Sequence, residues 1–116
     1  RQLVPHDVWE WAVDAERTRG WLAEYGELDM LLCGWTCVDM SSANKRGKGL
    51  RGQKSNVFFG AREILRIARS VYPHMDFVFE CTWFKEKHPR DWEFVSETLG
   101  VEPVQLEAGR VAGAWR

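Results

Sequence analysis

Residues 57–80 read VFFGAREILRIARSVYPHMDFVFE, and the change of periodicity inside this stretch decides the fold. Apolar residues at 57, 58, 61, 64, 65, 68, 71 and 72 form one stripe at helical spacing, which predicts an amphipathic helix over Val57–Tyr72. Pro73 stands just past its end, where a residue without an N–H cannot continue the helix. DFVFE, Asp76–Glu80, then reads as a short strand buried on both faces of a parallel sheet.

Working outward, Leu28–Cys33 is a short run, apolar apart from Asp29, and predicts another buried strand that ends at Gly34. Pro89–Leu99 puts Trp92, Val95 and Leu99 on one helical face, with Gly100 in place to end the helix. Val104–Leu106 is a candidate third strand. Toward the amino terminus, Asp7–Tyr25 carries Val8, Trp11, Ala12, Ala15, Leu22 and Tyr25 at roughly helical spacing, with Asp7 and Glu10 set as a capping box. This predicts a helix loosened near Gly20.

Strands alternating with helices imply βαβ units, so the expected fold class is α/β, an open three-layered arrangement with a parallel sheet flanked by helices. Ligands in such sheets bind at the carboxyl ends of the strands. Cys37 follows the first strand and Glu80 ends the second, so both are expected on one rim.

The chain has 116 residues, enough for one domain with one core. Its 45% hydrophobic and 28% charged residues and net charge of -1 suit a globular protein rather than a disordered one. No apolar run approaches the roughly 18 residues of a membrane span, so no membrane partner is expected. The chain opens on Arg1 and stops on Arg116, from which a piece of something longer is expected.

The small net charge hides a local imbalance. From Met40 to Arg62 there is no acidic residue, whereas Lys45, Arg46, Lys48, Arg51, Lys54 and Arg62 are cationic. Such a loop attracts phosphates within a Debye length, about 8 to 10 Å at physiological salt. A solvated loop without a partner is the competing reading. Inside it, GKGLRG (47–52) satisfies GxGxxG, but the dinucleotide fingerprint needs a tight turn from strand directly to helix. Polar residues separate it from both neighbours, so it reads as a chance match in a flexible loop.

Cys33, Cys37 and Cys81 make an odd count with no CxxC pair, which disfavours a disulfide framework or a four-ligand zinc site. Reduced cysteines suit a cytoplasm or nucleus. Cys33 and Cys81 read as packing residues. His6, His74 and His88 show no HxxxH or HxH spacing, and surface or capping roles are expected.

Taken in order, LDMLLCGWTCVDMS, NKRGKGLRGQKSNVFFGAREILRIAR, FVFECT and VQLEAGRVAGAWR resemble the middle of a DNA cytosine-5 methyltransferase. The similarity covers roughly residues 28 to 116 and looks closest to animal de novo enzymes and phage relatives. Each motif alone is weak, but their order and spacing together are specific. The resemblance implies a partial Rossmann-like catalytic domain over 1–116, without the cofactor's glycine turn or the target-recognition domain. By the same resemblance Cys37 matches the nucleophile and Glu80 the glutamate that meets the base. Ser41 or Ser42 matches the serine of the loop, Arg51 and Gly52 its Arg-Gly turn, and Arg116 the first arginine of Arg-x-Arg. Thr36 stands where the family has proline, and Cys81 where it has asparagine.

In that family the thiolate adds to C6 of a flipped cytosine, the glutamate holds or donates a proton at N3, and C5 takes a methyl group from S-adenosylmethionine. The resemblance therefore implies duplex DNA as partner, contacted by Ser41, Ser42, Lys45, Arg46, Lys48 and Arg51. It also implies S-adenosylmethionine as cofactor, though no residue of this chain is assigned to bind it. Activity is expected only with a complementary methyltransferase fragment or subunit, in a bacterial or phage-infected cytoplasm or a nucleus. A thiol of ordinary pKa about 8.5 needs cationic neighbours to ionise, which Lys45, Arg46 and Arg51 can supply. Burial against Phe77, Phe79 and Trp83 is expected to raise the Glu80 pKa. Trp35 or Trp83 is a candidate for stacking on the extruded ring.

Blander readings stand beside these. Cys37 also fits a small buried residue, and Glu80 a strand-end carboxylate paired with Arg62 or Arg110. Two other functions remain open: an inactive methyltransferase-like module that binds DNA or a partner, and an unrelated α/β thiol enzyme using Cys37 with a histidine.

Overall fold

The computed structural model describes residues 7–34, 48–52 and 56–105. Their order is α1 (Val8–Ala12), α2 (Ala15–Glu24), β1 (Met30–Gly34), a 3-10 turn (Gly49–Arg51), α3 (Val57–Val71), β2 (Asp76–Glu80) and α4 (Pro89–Leu99). Strands β1 and β2 are parallel and form a two-stranded sheet, with α3 in the connection between them. The predicted βαβ unit is thus present, and the fold class is α/β with a parallel pair flanked by helices.

The predicted single helix over Asp7–Tyr25 is two helices, and the break falls at Val13–Asp14, not near Gly20. The cause is local. Asp14 adopts an extended conformation and its carboxylate accepts the Arg17 N–H at 3.1 Å, which makes an N-cap inside the apolar pattern. Asp7 does the same for α1, accepting from the Trp9 N–H at 2.9 Å. Gly20 stays helical, since a glycine costs a helix only about 1 kcal/mol relative to alanine.

Helix α3 is the centre of the packing. Its predicted stripe buries Phe58, Ala61, Ile64, Leu65 and Ala68, and it touches α1 and α2 as well as the sheet. One cluster, rich in aromatic rings, gathers Leu50, Phe58, Phe84, Trp92 and Val95, and a second, of aliphatic side chains and Met75, joins Leu22, Leu65, Ile67 and Ala68. The loop after α2 is tied down by Tyr72, whose hydroxyl donates to the Leu22 carbonyl at 2.7 Å and meets that of Gly26. Helix α4 begins with Pro89 and ends at Gly100, whose φ of 70° is left-handed, as its position predicts.

Two expectations are corrected. The strands are not buried on both faces. Leu31, Cys33, Phe77 and Phe79 turn toward the helices, whereas Met30, Leu32 and Val78 are exposed at 52%, 71% and 49%. Alternate strand residues face opposite sides, and the described helices lie on one side only. Nor is there a third strand at Val104 and Gln105, which have no regular structure; Leu106 lies outside the described residues. Among the described residues no helix is long and apolar enough to cross a membrane.

Candidate functional site

Parallel pairing in register makes β1 and β2 end together, with Gly34 opposite Glu80. The Glu80 carboxylate leans across to its neighbour: its Oε2 lies 3.3 Å from where a Cβ on Gly34 would stand. A side chain at position 34 would press on that oxygen, so glycine leaves the carboxylate its place over the strand end. Glu80 is exposed, on the face opposite Phe77 and Phe79. The expected burial against those rings is therefore absent, because strand alternation sends residue 80 the other way.

Trp83 shares the cleft beside β2 with Glu80 but is engaged with its own neighbours. Its ring packs edge-on against Trp92 at 4.4 Å between centroids, and its Nε1 donates to Glu86 at 3.2 Å. Arg62, named as a possible Glu80 partner, instead lies 5.4 Å over the Phe59 ring and 5.8 Å over Phe94. Arg110 falls outside the described residues.

Cys37, Ser41, Ser42, Lys45, Arg46, Arg116 and Trp35 likewise lie outside the described residues. Cys33 is half-buried on the helix-facing side of β1, and burial pushes its thiol pKa up. A thiol that resists ionisation is a poor nucleophile, in keeping with the packing role expected of it. Cys81 is half-buried against the Phe58–Trp92 cluster.

Of the expected DNA-contacting cations, Lys48 and Arg51 are described, and both are exposed. Lys48 precedes and Arg51 ends a 3-10 turn, Gly49–Arg51, a regular element that the loop's composition did not suggest. Leu50 is 2% exposed, inserted among Phe58, Phe84, Trp92 and Val95. Its N–H donates to Asp91 Oδ2 at 3.1 Å, and the Gly52 N–H closes the turn on the Gly49 carbonyl at 3.0 Å. Asp91 and His88, at the start of α4, hold the turn, and sequence reading singled out neither for this. Asp91 stands 41 residues from Leu50, so no local pattern links them. His88 stands at the N-cap position of α4, in line with the surface or capping role expected, but its side chain makes no cap bond; among the described residues its Nε2 is buried without a hydrogen-bond partner, and its ring lies against Gly49.

Beside β2 opens a cleft of about 390 Å³, with Phe79, Glu80, Trp83, Trp92, Val95 and Pro103 among its walls. Apolar rings and two carboxylates, Glu80 and Glu102, suit a flat ring that can donate or share a proton. The glycine-bearing turn does not suit S-adenosylmethionine. Gly49 is pressed against Asp91 and His88, and both the Leu50 N–H and the Leu50 side chain are already engaged, so these glycine-turn groups are not free to cradle a cofactor. Compared with known proteins, the chain matches no family model and no curated sequence.

Proposed function

We propose that this chain supplies the nucleophile half of a DNA cytosine-5 methyltransferase site. The observation that carries the reading is the rim where β1 and β2 end together, with the Glu80 carboxylate over Gly34. Cys37 follows Gly34 by three residues, so the tether allows at most about 11 Å between their Cα atoms. Further support comes from Lys48 and Arg51, exposed on a fixed turn of the basic loop.

On this reading the Cys37 thiolate forms a bond to C6 of a cytosine turned out of the duplex. Glu80 delivers or shares a proton at N3, so the electron pair pushed onto the ring is held there, and C5 becomes the nucleophilic carbon. When C5 has reacted and lost its proton, the C6–S bond breaks and the thiolate leaves. Unstacking the base costs a few kcal/mol, offset by phosphate contacts from the basic loop. The methyl donor's site is assigned to a complementary part and not to these residues.

The test is covalent capture on duplex DNA containing 5-fluorocytosine, in the presence of S-adenosylmethionine and a complementary methyltransferase fragment. Fluorine at C5 cannot leave as a proton does, so the adduct persists and peptide mass spectrometry locates it. The adduct is expected on Cys37, absent from Cys37→Ala, and formed about 100-fold more slowly in Glu80→Gln. Gly34→Ala is expected to slow it far less, since a Cβ there asks the flexible Glu80 carboxylate to shift by only a few tenths of an ångström. An adduct that survives Cys37→Ala sinks the proposal; salt-sensitive DNA binding with no adduct favours the inactive DNA-binding module.

A further inference from the structure

Gly49 has a φ of 63°, and a Cβ there would stand 2.1 Å from Asp91 Oδ2 and 2.9 Å from His88 Nδ1. Only glycine permits both the conformation and the approach. Asp91 also accepts the Leu50 N–H, Leu50 fills the aromatic cluster, and the Asn56 backbone N–H donates to the Gly52 carbonyl at 3.0 Å just before α3. The turn is therefore gripped from α4, plugged into the core and tied to α3. Lys48 and Arg51 project into solvent at its two ends.

An acidic side chain in the first turn of a helix ordinarily needs no explanation beyond the helix dipole. Asp91 does something else with its carboxylate, reaching out of its own helix to a backbone donor in the basic loop. For a loop meant to meet phosphates this is costly, since a carboxylate beside two cations weakens their field. The geometry points to Asp91 as a positioning residue: it holds the Gly49–Arg51 turn in the one conformation that presents Lys48 and Arg51 together to neighbouring phosphates. His88 packs against Gly49 beside Asp91 and limits the same turn. This rests on the reading of the basic loop as a DNA contact, and it adds residues of α4 to that contact without their touching DNA.

The two roles open to Asp91 differ in sign. If it acts only as a nearby negative charge, removing it raises affinity for DNA. If it positions the turn, Asp91→Ala lowers affinity on the order of tenfold and makes the log–log salt dependence shallower by about 1 to 2, as expected when one or two phosphate contacts are lost. Asp91→Asn keeps an acceptor for the Leu50 N–H and drops the charge, so it should bind as well as the parent or better. The experiment measures duplex binding by the full chain across a salt series, with amide exchange at Leu50 followed in parallel. Exchange at Leu50 is expected to quicken at least tenfold in Asp91→Ala and to stay slow in Asp91→Asn. A gain of affinity in Asp91→Ala, or Leu50 exchange unaltered by it, overturns the positioning role. Failure of the parent chain to bind DNA in a salt-dependent way sinks the DNA reading instead, and the exchange rates then judge the clamp alone.

Discussion

At the scale of single residues, Gly34 and Glu80 show how a pair of neighbours becomes a site. Either is unremarked in isolation; in register they place a carboxylate across a strand end that has no side chain to obstruct it. Cys33, only four positions before Cys37, illustrates the opposite case. Its burial disfavours the thiolate, so its alkylation by iodoacetamide should stay slow through pH 8.5 and rise only above the usual thiol range. The sign of the linked stability change follows: the unfolded chain loses this proton first, so the contribution is full below the ordinary thiol pKa and is lost as pH rises through the folded one. A pH–rate profile for Cys33 modification, read by peptide mass spectrometry, checks both the direction and the burial. An inflection at or below about pH 8.5 would show that the thiol is not shielded.

At the scale of elements, the helical stripe of α3 and the caps of α4 were legible because period and punctuation are local properties. The 3-10 turn was not. Read along the chain, NKRGKGLRGQK is polar and glycine-rich, and its single leucine gives no period. Packed, that leucine is one of the most enclosed side chains in the molecule. Leu50→Ala should therefore destabilise the chain by about 2 to 5 kcal/mol, the range for a leucine removed from a core, with the midpoint of urea unfolding as the measure. A loss below about 0.5 kcal/mol would return the turn to the status of a surface loop. The break between α1 and α2 teaches the same lesson from the other side: apolar spacing ran through Asp14, and a side-chain cap outweighed it.

At the scale of the whole molecule, the described helices cover one face of the sheet and leave the other open. Parallel strands ordinarily read as apolar runs because helices lie on both sides of them. Here the run is present and the second layer is not among the described residues, leaving Leu32 as the most exposed side chain of β1. Leu32→Lys is accordingly expected to change unfolding free energy by no more than about 0.5 kcal/mol, whereas a core leucine in either cluster tolerates no charge. Urea unfolding at two protein concentrations is the measure. A large loss that depends on concentration would mean that Leu32 is covered in solution by another copy.

What could be read along the chain was whatever one helix or strand decides for itself: the period of α3, the extents of β2 and α4, the alternation that makes the fold α/β, and the arrival of Glu80 at a strand end. Distant parts of the chain decided the rest. The side of the sheet on which Glu80 stands, the grip of Asp91 and His88 on Gly49, the burial of Leu50 and the open face of β1 and β2 all depend on which element packs against which. Burial and hydrogen bonding across 41 residues leave no periodic trace in a sequence, because they are set by the meeting of elements and not by the local conformation of any one of them.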